Sequence, residues 1–180
     1  TSGPGATNLT TGIATAYMDS SPVVFITCNV TEETLGKDAF QEVDITGIAM
    51  PITKATYLVR DPQTIPDVMR QAFAVAATGR PGPVLIDIPI DVQEQSLKKF
   101  YYPEEVSIRG YKPSVKGNDL QIKRVVEAIS RSKQPLICAG VGQPHAEEEL
   151  LELAERCSIP VVKTMMGLGL LPTDHPLNMG

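Results

Sequence analysis

Four short apolar runs rich in β-branched residues, at positions 23–27, 84–86, 136–139 and 161–162, are separated by segments whose apolar residues recur at helical spacing. Ala6, Leu9, Ile13, Ala16 and Tyr17 form one such stripe, directly after a glycine-rich turn. Ile65, Val68, Met69, Ala72, Phe73 and Ala76 form a second, which ends near Gly79. Ile122, Val125, Val126 and Ile129 form a third, and Leu150, Leu151, Ala154 and Cys157 a fourth. Period-2 hairpins do not space their strands this way; strands alternating with helices of about 10–15 residues are βαβ units. The expected class is therefore α/β, with parallel sheets and helices on both faces. Residues 55–59 add a candidate strand, and residues 44–50 a short helix closed by Pro51.

The alternation fails between Leu97 and Gly117, where Lys98, Lys99, Pro103, Gly110 and Pro113 interrupt any sustained period. A structureless stretch of about 20 residues points to a boundary between domains rather than an internal loop. The expected organisation is a first domain over 1–97, a linker over 98–117 and the beginning of a second domain over 118–180. The chain starts without an initiator Met, a basic region or an apolar leader, so it is expected to be an internal piece of a longer protein, with its second domain cut short.

Composition narrows the class of partner. A net charge of -5, with 16 basic residues scattered along the chain, gives no electrostatic footprint for nucleic acid or an anionic membrane. No apolar run approaches the roughly 20 residues of a membrane span. Three cysteines, an odd count without CxxC or Cys/His ligand spacing, indicate neither a disulfide framework nor a zinc site and fit a reducing cytoplasm.

Several segments carry two readings from their residues alone. The opening TSGPGATN is either a tight turn capped by Ser2 or Thr1, or a helix start whose N–H groups a ligand approaches. GKDAFQE, residues 36–42, is either a solvated loop with one anchoring Phe or a ligand loop at the end of a sheet strand. In GRPGP, residues 79–83, Arg80 either caps helix carbonyls or presents its guanidinium to a phosphate. Gly140 and Gly142 follow a strand as a nucleotide-binding turn does, yet supply only two glycines of a dinucleotide fingerprint. Thr164, Met165 and Met166 open a segment that is either flexible core filler or the wall of a cofactor site. His145 and His175 stand beside prolines without a carboxylate or cysteine at ligand spacing, as surface residues do.

Taken in order, TSGPGATN, DAFQE, GRPGPVLIDIP and TMMGLG resemble the large catalytic subunits of the acetolactate (acetohydroxyacid) synthase family, over essentially the whole chain. The resemblance implies a thiamine-diphosphate enzyme that decarboxylates pyruvate and joins the hydroxyethyl unit to a second 2-oxo acid, pyruvate or 2-oxobutyrate, in branched-chain amino-acid biosynthesis. It implies a pyrimidine-binding domain followed by a Rossmann-like FAD-binding domain. By the same resemblance, Thr1, Pro4 and Asn8 lie near the thiamine aminopyrimidine, and Phe40 and Gln41 face the substrate and the reactive ring. Arg80, Gly140, Gly142, Thr164, Met165 and Met166 match FAD contacts. Mg and the diphosphate are implied to bind outside these residues, as does the activating glutamate, so the piece alone is expected to be inactive. A cytoplasmic homo-oligomer is implied, dimer or tetramer, with a small regulatory subunit left open.

The resemblance is not complete. Cys28-Asn29-Val30-Thr31 stands where relatives commonly read Gly-Gln-Val-Pro, Ile90 stands where they commonly have Lys, and Val141 lies inside the central glycine turn. These departures bear on the second substrate, the inhibitor response and FAD. Another thiamine-dependent carboligase or decarboxylase, such as glyoxylate carboligase, is the alternative enzyme. A nucleotide-binding module without chemistry is the alternative outside enzymes.

Overall fold

The computed structural model describes residues 2–140, 142 and 146–180, and divides into two compact units, Thr1–Ser114 and Val115–Gly180. In the first, three parallel strands, β1 (Val24–Asn29), β2 (Ala55–Leu58) and β3 (Val84–Pro89), stand in the order β1-β3-β2. Val24 and Ala55 both pair with Val84, so the register of the two outer strands is set by the middle one.

All six residues of β3 are buried, and their alternation builds two cores. Val84, Ile86 and Ile88 point to one face, where α4 (Ile65–Ala77) lays Ala72, Val75 and Ala76 against them. Leu85 points to the other, where it meets Ala6, Ile13, Ile45 and Ala49 from α1 (Gly3–Thr7), α2 (Thr10–Met18) and α3 (Ile45–Ala49). Each fully buried aliphatic side chain there contributes about 1.5–3 kcal/mol. Helices thus cover both faces of this sheet, as the strand–helix alternation requires.

Local chemistry explains where the elements differ from their periodic stripes. The first stripe is broken into α1 and α2 at Asn8 and Leu9, while its phase survives: Ala6, Ile13 and Ala16 are all buried. The short helix before Pro51 ends at Ala49 with Met50 as its C-cap, and Pro51 itself sits within a 3-10 turn, Met50–Ile52, that carries the chain on to β2. Phe73 was placed on the apolar face of α4 but is exposed, because the buried stripe there is drawn from small residues and Val75. A short helix after β3, α5 (Ile90–Glu94), has no stripe long enough to be read from periodicity.

The stretch after α5 has no helix or strand until α6 (Asp119–Arg131), yet residues 101–111 lie against α4. The Tyr101 hydroxyl donates to Asp67 at 2.6 Å, the Arg70 guanidinium stands 5.6 Å from the Tyr102 ring, and Tyr111 donates to the Thr78 carbonyl at 3.0 Å. The Asp67 hydrogen bond holds the Tyr101 hydroxyl above its ordinary pKa. Lys54 completes the end of α4, donating to the carbonyls of Val75 and Thr78 where the helix dipole favours a cation. Replacing it, Lys54→Met, is expected to cost about 1–3 kcal/mol, the range for losing hydrogen bonds to a charged group. A shift of the denaturant midpoint measures this, and an unchanged midpoint contradicts the capping role.

The second unit has two parallel strands, β4 (Ile137–Ala139) and β5 (Val161–Lys163), with α6 and α7 (Glu147–Cys157). Leu150 and Ala154 of α7 pack on Ala139 and Val161. The Asn118 side chain caps α6 by accepting from Leu120 and Gln121 N–H groups at 3.0 and 3.2 Å. The apolar stripe of α6 is nevertheless exposed at Ile122, Val125 and Val126. Cys157, placed on the α7 stripe, is also exposed. No helix among the described residues is long and apolar enough to cross a membrane.

Candidate functional site

In parallel α/β sheets ligands gather at the carboxyl ends of the strands. Beyond β1 the chain runs from Val30 to Asp44 without a helix or strand. Its first residues are tied to α5, where the Asp91 carboxylate accepts the Glu32 N–H at 3.1 Å on each oxygen. Its last residues are tied to α3, where Asp44 accepts from Gly47 N–H at 2.9 Å and from the Thr46 hydroxyl at 2.7 Å.

Between these ends the Glu42 carboxylate accepts from the N–H groups of Gly36 and Ala39, the latter at 2.9 Å. Gly36, Asp38 and Gln41 all hold positive φ, 76°, 55° and 60°. Phe40 is 89% exposed, so it does not anchor the loop; that reading is corrected, because the loop is held by backbone and carboxylate bonds and not by a buried ring. Gln41 is exposed beside it.

The glycine-rich turn meets this loop. A Cβ on Gly3, whose φ is +34°, would lie 2.2 Å from the Gln41 carbonyl oxygen, so only glycine permits the approach. Pro4 and Asn8, four residues apart across α1, are both exposed. Thr1 lies outside the described residues. A cavity of about 330 Å³ opens nearby between Gly5, Ala6, Leu9, Ile26 and Cys28. A second, of about 270 Å³, is lined by Asn29, Glu42, Asp44, Arg60 and Asp87.

Beneath the strand ends lies a polar network that periodicity does not reveal. Asp87, 1% exposed in the middle strand, accepts from the Thr27 hydroxyl at 2.7 Å and the Asn29 amide at 2.6 Å. Asn29 also donates to the Val43 carbonyl at 3.2 Å, which ties the sheet to the loop. The available signal was one acidic residue interrupting the apolar run VLIDIP.

Both loop carboxyls are held below their ordinary pKa, Glu42 chiefly by the Gly36 N–H and then Ala39, Asp44 chiefly by the Gly47 N–H and then Thr46. A lowered folded-state pKa stabilises at pH above the unfolded value and is lost as pH falls through the folded one. Amide protection factors in residues 36–47 are therefore expected to be flat from neutrality to the ordinary carboxylate range and to fall below it. Protection independent of pH down to strong acid would contradict this.

The remaining expected site residues fall elsewhere. Arg80 crosses the end of α2, donating through Nε to Ser20 at 2.8 Å and through a terminal nitrogen to the Met18 carbonyl at 3.5 Å, with Tyr17 beneath it at 5.9 Å. In the second unit, Gly140 and Thr164 adjoin: a Cβ on Gly140 would lie 3.0 Å from the Thr164 hydroxyl. One on Gly167, in the 3-10 turn Met165–Leu170, would lie 2.7 Å from the Ala139 carbonyl, so that turn closely approaches the end of β4. Met165 and Met166 are exposed, which corrects their reading as core filler. Gly142 is exposed, and Val141 and His145 lie outside the described residues. The His175 ring lies 3.3 Å from Glu155, a carboxylate the fold brings to it from outside ligand spacing, and accepts the Leu177 N–H at 3.2 Å.

Comparison with known proteins agrees with these motifs. Residues 1–48 match the thiamine pyrophosphate enzyme N-terminal TPP binding domain, and residues 122–180 the thiamine pyrophosphate enzyme central domain. The chain is 53% identical to a probable acetolactate synthase large subunit of Methanocaldococcus jannaschii, aligned over 100% of the chain and 31% of that protein. It is 50% identical to an acetolactate synthase of Arthrospira platensis, over 100% of the chain and 32% of that protein. Against an acetolactate synthase large subunit of Corynebacterium glutamicum it is 49% identical, over 100% of the chain and 29% of that protein. The chain thus spans about a third of the length of these relatives. Joined in this order, the two matched domains and the end-to-end similarity establish that the chain belongs to the thiamine pyrophosphate enzymes, alongside the acetolactate synthase large subunits.

Proposed function

We propose that the protein carrying these residues is an acetolactate synthase catalytic subunit, which decarboxylates pyruvate and joins the two-carbon unit to pyruvate or 2-oxobutyrate in branched-chain amino-acid biosynthesis. The observation that carries this reading is the contact of the glycine turn with the DAFQE loop, Gly3 against the Gln41 carbonyl, in a chain matched end to end by such proteins.

The residues present fit the thiamine aminopyrimidine. It is a neutral ring with both donors and acceptors, and the exposed carboxamides of Asn8 and Gln41 offer both as well. Pro4 adds a rigid apolar surface at the start of α1. When bound, thiamine diphosphate supplies the electron sink that lets a 2-oxo acid lose carbon dioxide. Asn8 and Gln41 bind and orient the ring, and the exposed Phe40 covers the reacting face against water. Thr1 belongs to the same proposal through its place in the motif.

FAD is proposed with a structural role. Arg80 presents a fork of five N–H donors, of which Nε and one terminal nitrogen are engaged, and the fork's geometry suits a phosphate. Gly140, Gly142, Thr164, Met165 and Met166 are the contacts proposed on the second unit. Mg, a cytoplasmic homo-oligomer and an optional small regulatory subunit complete the proposal.

The test uses the full-length protein. Its absorbance is recorded at the flavin bands, and acetolactate is then assayed from pyruvate with thiamine diphosphate and Mg. Bound flavin with acetolactate is the expected result. Acetolactate without flavin removes the FAD contacts, and ligation of glyoxylate instead of pyruvate moves the protein to glyoxylate carboligase.

A further inference from the structure

We infer that Glu42 is a positioning residue, whose carboxylate clasps the loop from Gly36 to Glu42 into the one backbone shape that presents Phe40 and Gln41; this rests on the function proposed above. The loop has no helix or strand of its own, and its exposed Phe40 buries nothing that would order it. Gly36, Asp38 and Gln41 nonetheless hold left-handed backbone, a conformation that side-chain-bearing residues keep only where surrounding bonds impose it.

Glu42 supplies those bonds. One oxygen takes the Gly36 N–H, the other takes the Ala39 N–H at 2.9 Å, and Glu42's own N–H donates to the Ala39 carbonyl at 3.0 Å. The seven residues are closed into a ring with Phe40 and Gln41 on its rim. Gln41 is then fixed from the other side by the close approach of Gly3. Arg60, which lines the same cavity, pairs with Glu32 at 3.4 Å, and both Glu42 oxygens are taken by backbone donors.

The bonding pattern makes the role discriminating. Each oxygen faces an N–H donor, so both must accept, and a carboxamide of the same size accepts through only one. Glu42→Gln therefore opens one half of the clasp with almost no change in volume. Glu42→Asp keeps both acceptors on a shorter arm and is expected to fall between wild type and E42Q.

Two readouts on the full-length protein test this: amide exchange of peptides covering residues 36–42, and steady-state acetolactate formation with varied thiamine diphosphate and pyruvate. E42Q is expected to exchange about ten-fold faster in that segment alone, with β1 and β3 protected as in wild type. Its kcat is expected to fall about ten-fold with the pyruvate KM changed less than about two-fold, and E42D to recover part of both. Unchanged exchange overturns the clasp, and faster exchange with unchanged kcat overturns the positioning role. Loss of protection throughout the sheet in both variants overturns it too, because Glu42 would then be holding the fold. If wild type makes no acetolactate while E42Q still frees the loop, the clasp stands and the proposed reaction falls.

Discussion

Gly3→Ala is expected to lower stability by about 1–3 kcal/mol, the cost of forcing an extra carbon into a packed contact. The new methyl group would lie 2.2 Å from the Gln41 carbonyl oxygen and 2.8 Å from its carbon, both backbone atoms that no rotamer change can move aside. The loop must therefore shift, and Gln41 with it. Thiamine diphosphate affinity of the full-length protein is expected to fall by about ten-fold or more, the equivalent of one hydrogen bond lost from a binding site. Gly12 provides the contrast: it lies within α2 with open space around its Cα, and alanine there is expected to stabilise by about 0.5–1 kcal/mol. Thermal melts of the two variants, with a cofactor titration of each, decide the matter. Equal behaviour of G3A and G12A would show that the turn and the loop do not depend on each other.

The second large effect is expected at Asp87. Removing its carboxyl, Asp87→Ala, leaves the Thr27 hydroxyl and one N–H of Asn29, both on buried side chains, without their acceptor. An orphaned buried donor costs about 1–3 kcal/mol, so the pair is expected to cost about 2–6 kcal/mol. Asp87→Asn preserves the shape and one acceptor but turns an NH₂ toward a donor, and its loss is expected to be about half as large. Denaturant midpoints order the three proteins as wild type, D87N, D87A. If D87A were as stable as wild type, the network would not be what joins β1, β3 and the Val43 loop.

How much of this could be read beforehand divides along the range of the interactions involved. The stripe from Ile65 to Ala76 and the run from Val84 to Ile86 identified α4 and β3, because one face of α4 and both faces of β3 are buried in the same unit. Alternation then gave a parallel sheet with helices on both faces, since side chains of β3 serve two cores. The fate of the α6 stripe was not readable: periodicity shows that a face is apolar, not that something covers it. The motifs at Gly3 and Gln41 were visible as separate signals, but their contact spans 38 positions of sequence and only folding creates it. The Thr27–Asp87 bond spans 60, and one acid in an apolar strand looked like a strand end. Glu42 was visible as a letter of a motif, while its bonds to Gly36 and Ala39 depend on left-handed backbone that composition does not specify.

Placing β3 between β1 and β2 also sets a timetable for synthesis. The middle strand is the last of the three to leave the ribosome, and Val24 waits for Val84, 60 residues behind it. At about 5–20 residues per second the nascent chain carries β1 and then β2 for several seconds without the strand that joins them. During that interval Phe25, Ile26 and Tyr57 have no in-sheet neighbour from these three strands, and the edges are open to other chains. Slowing translation before β3 has emerged from the ribosome would lengthen that exposure and lower soluble yield; slowing it once β3 is out would not.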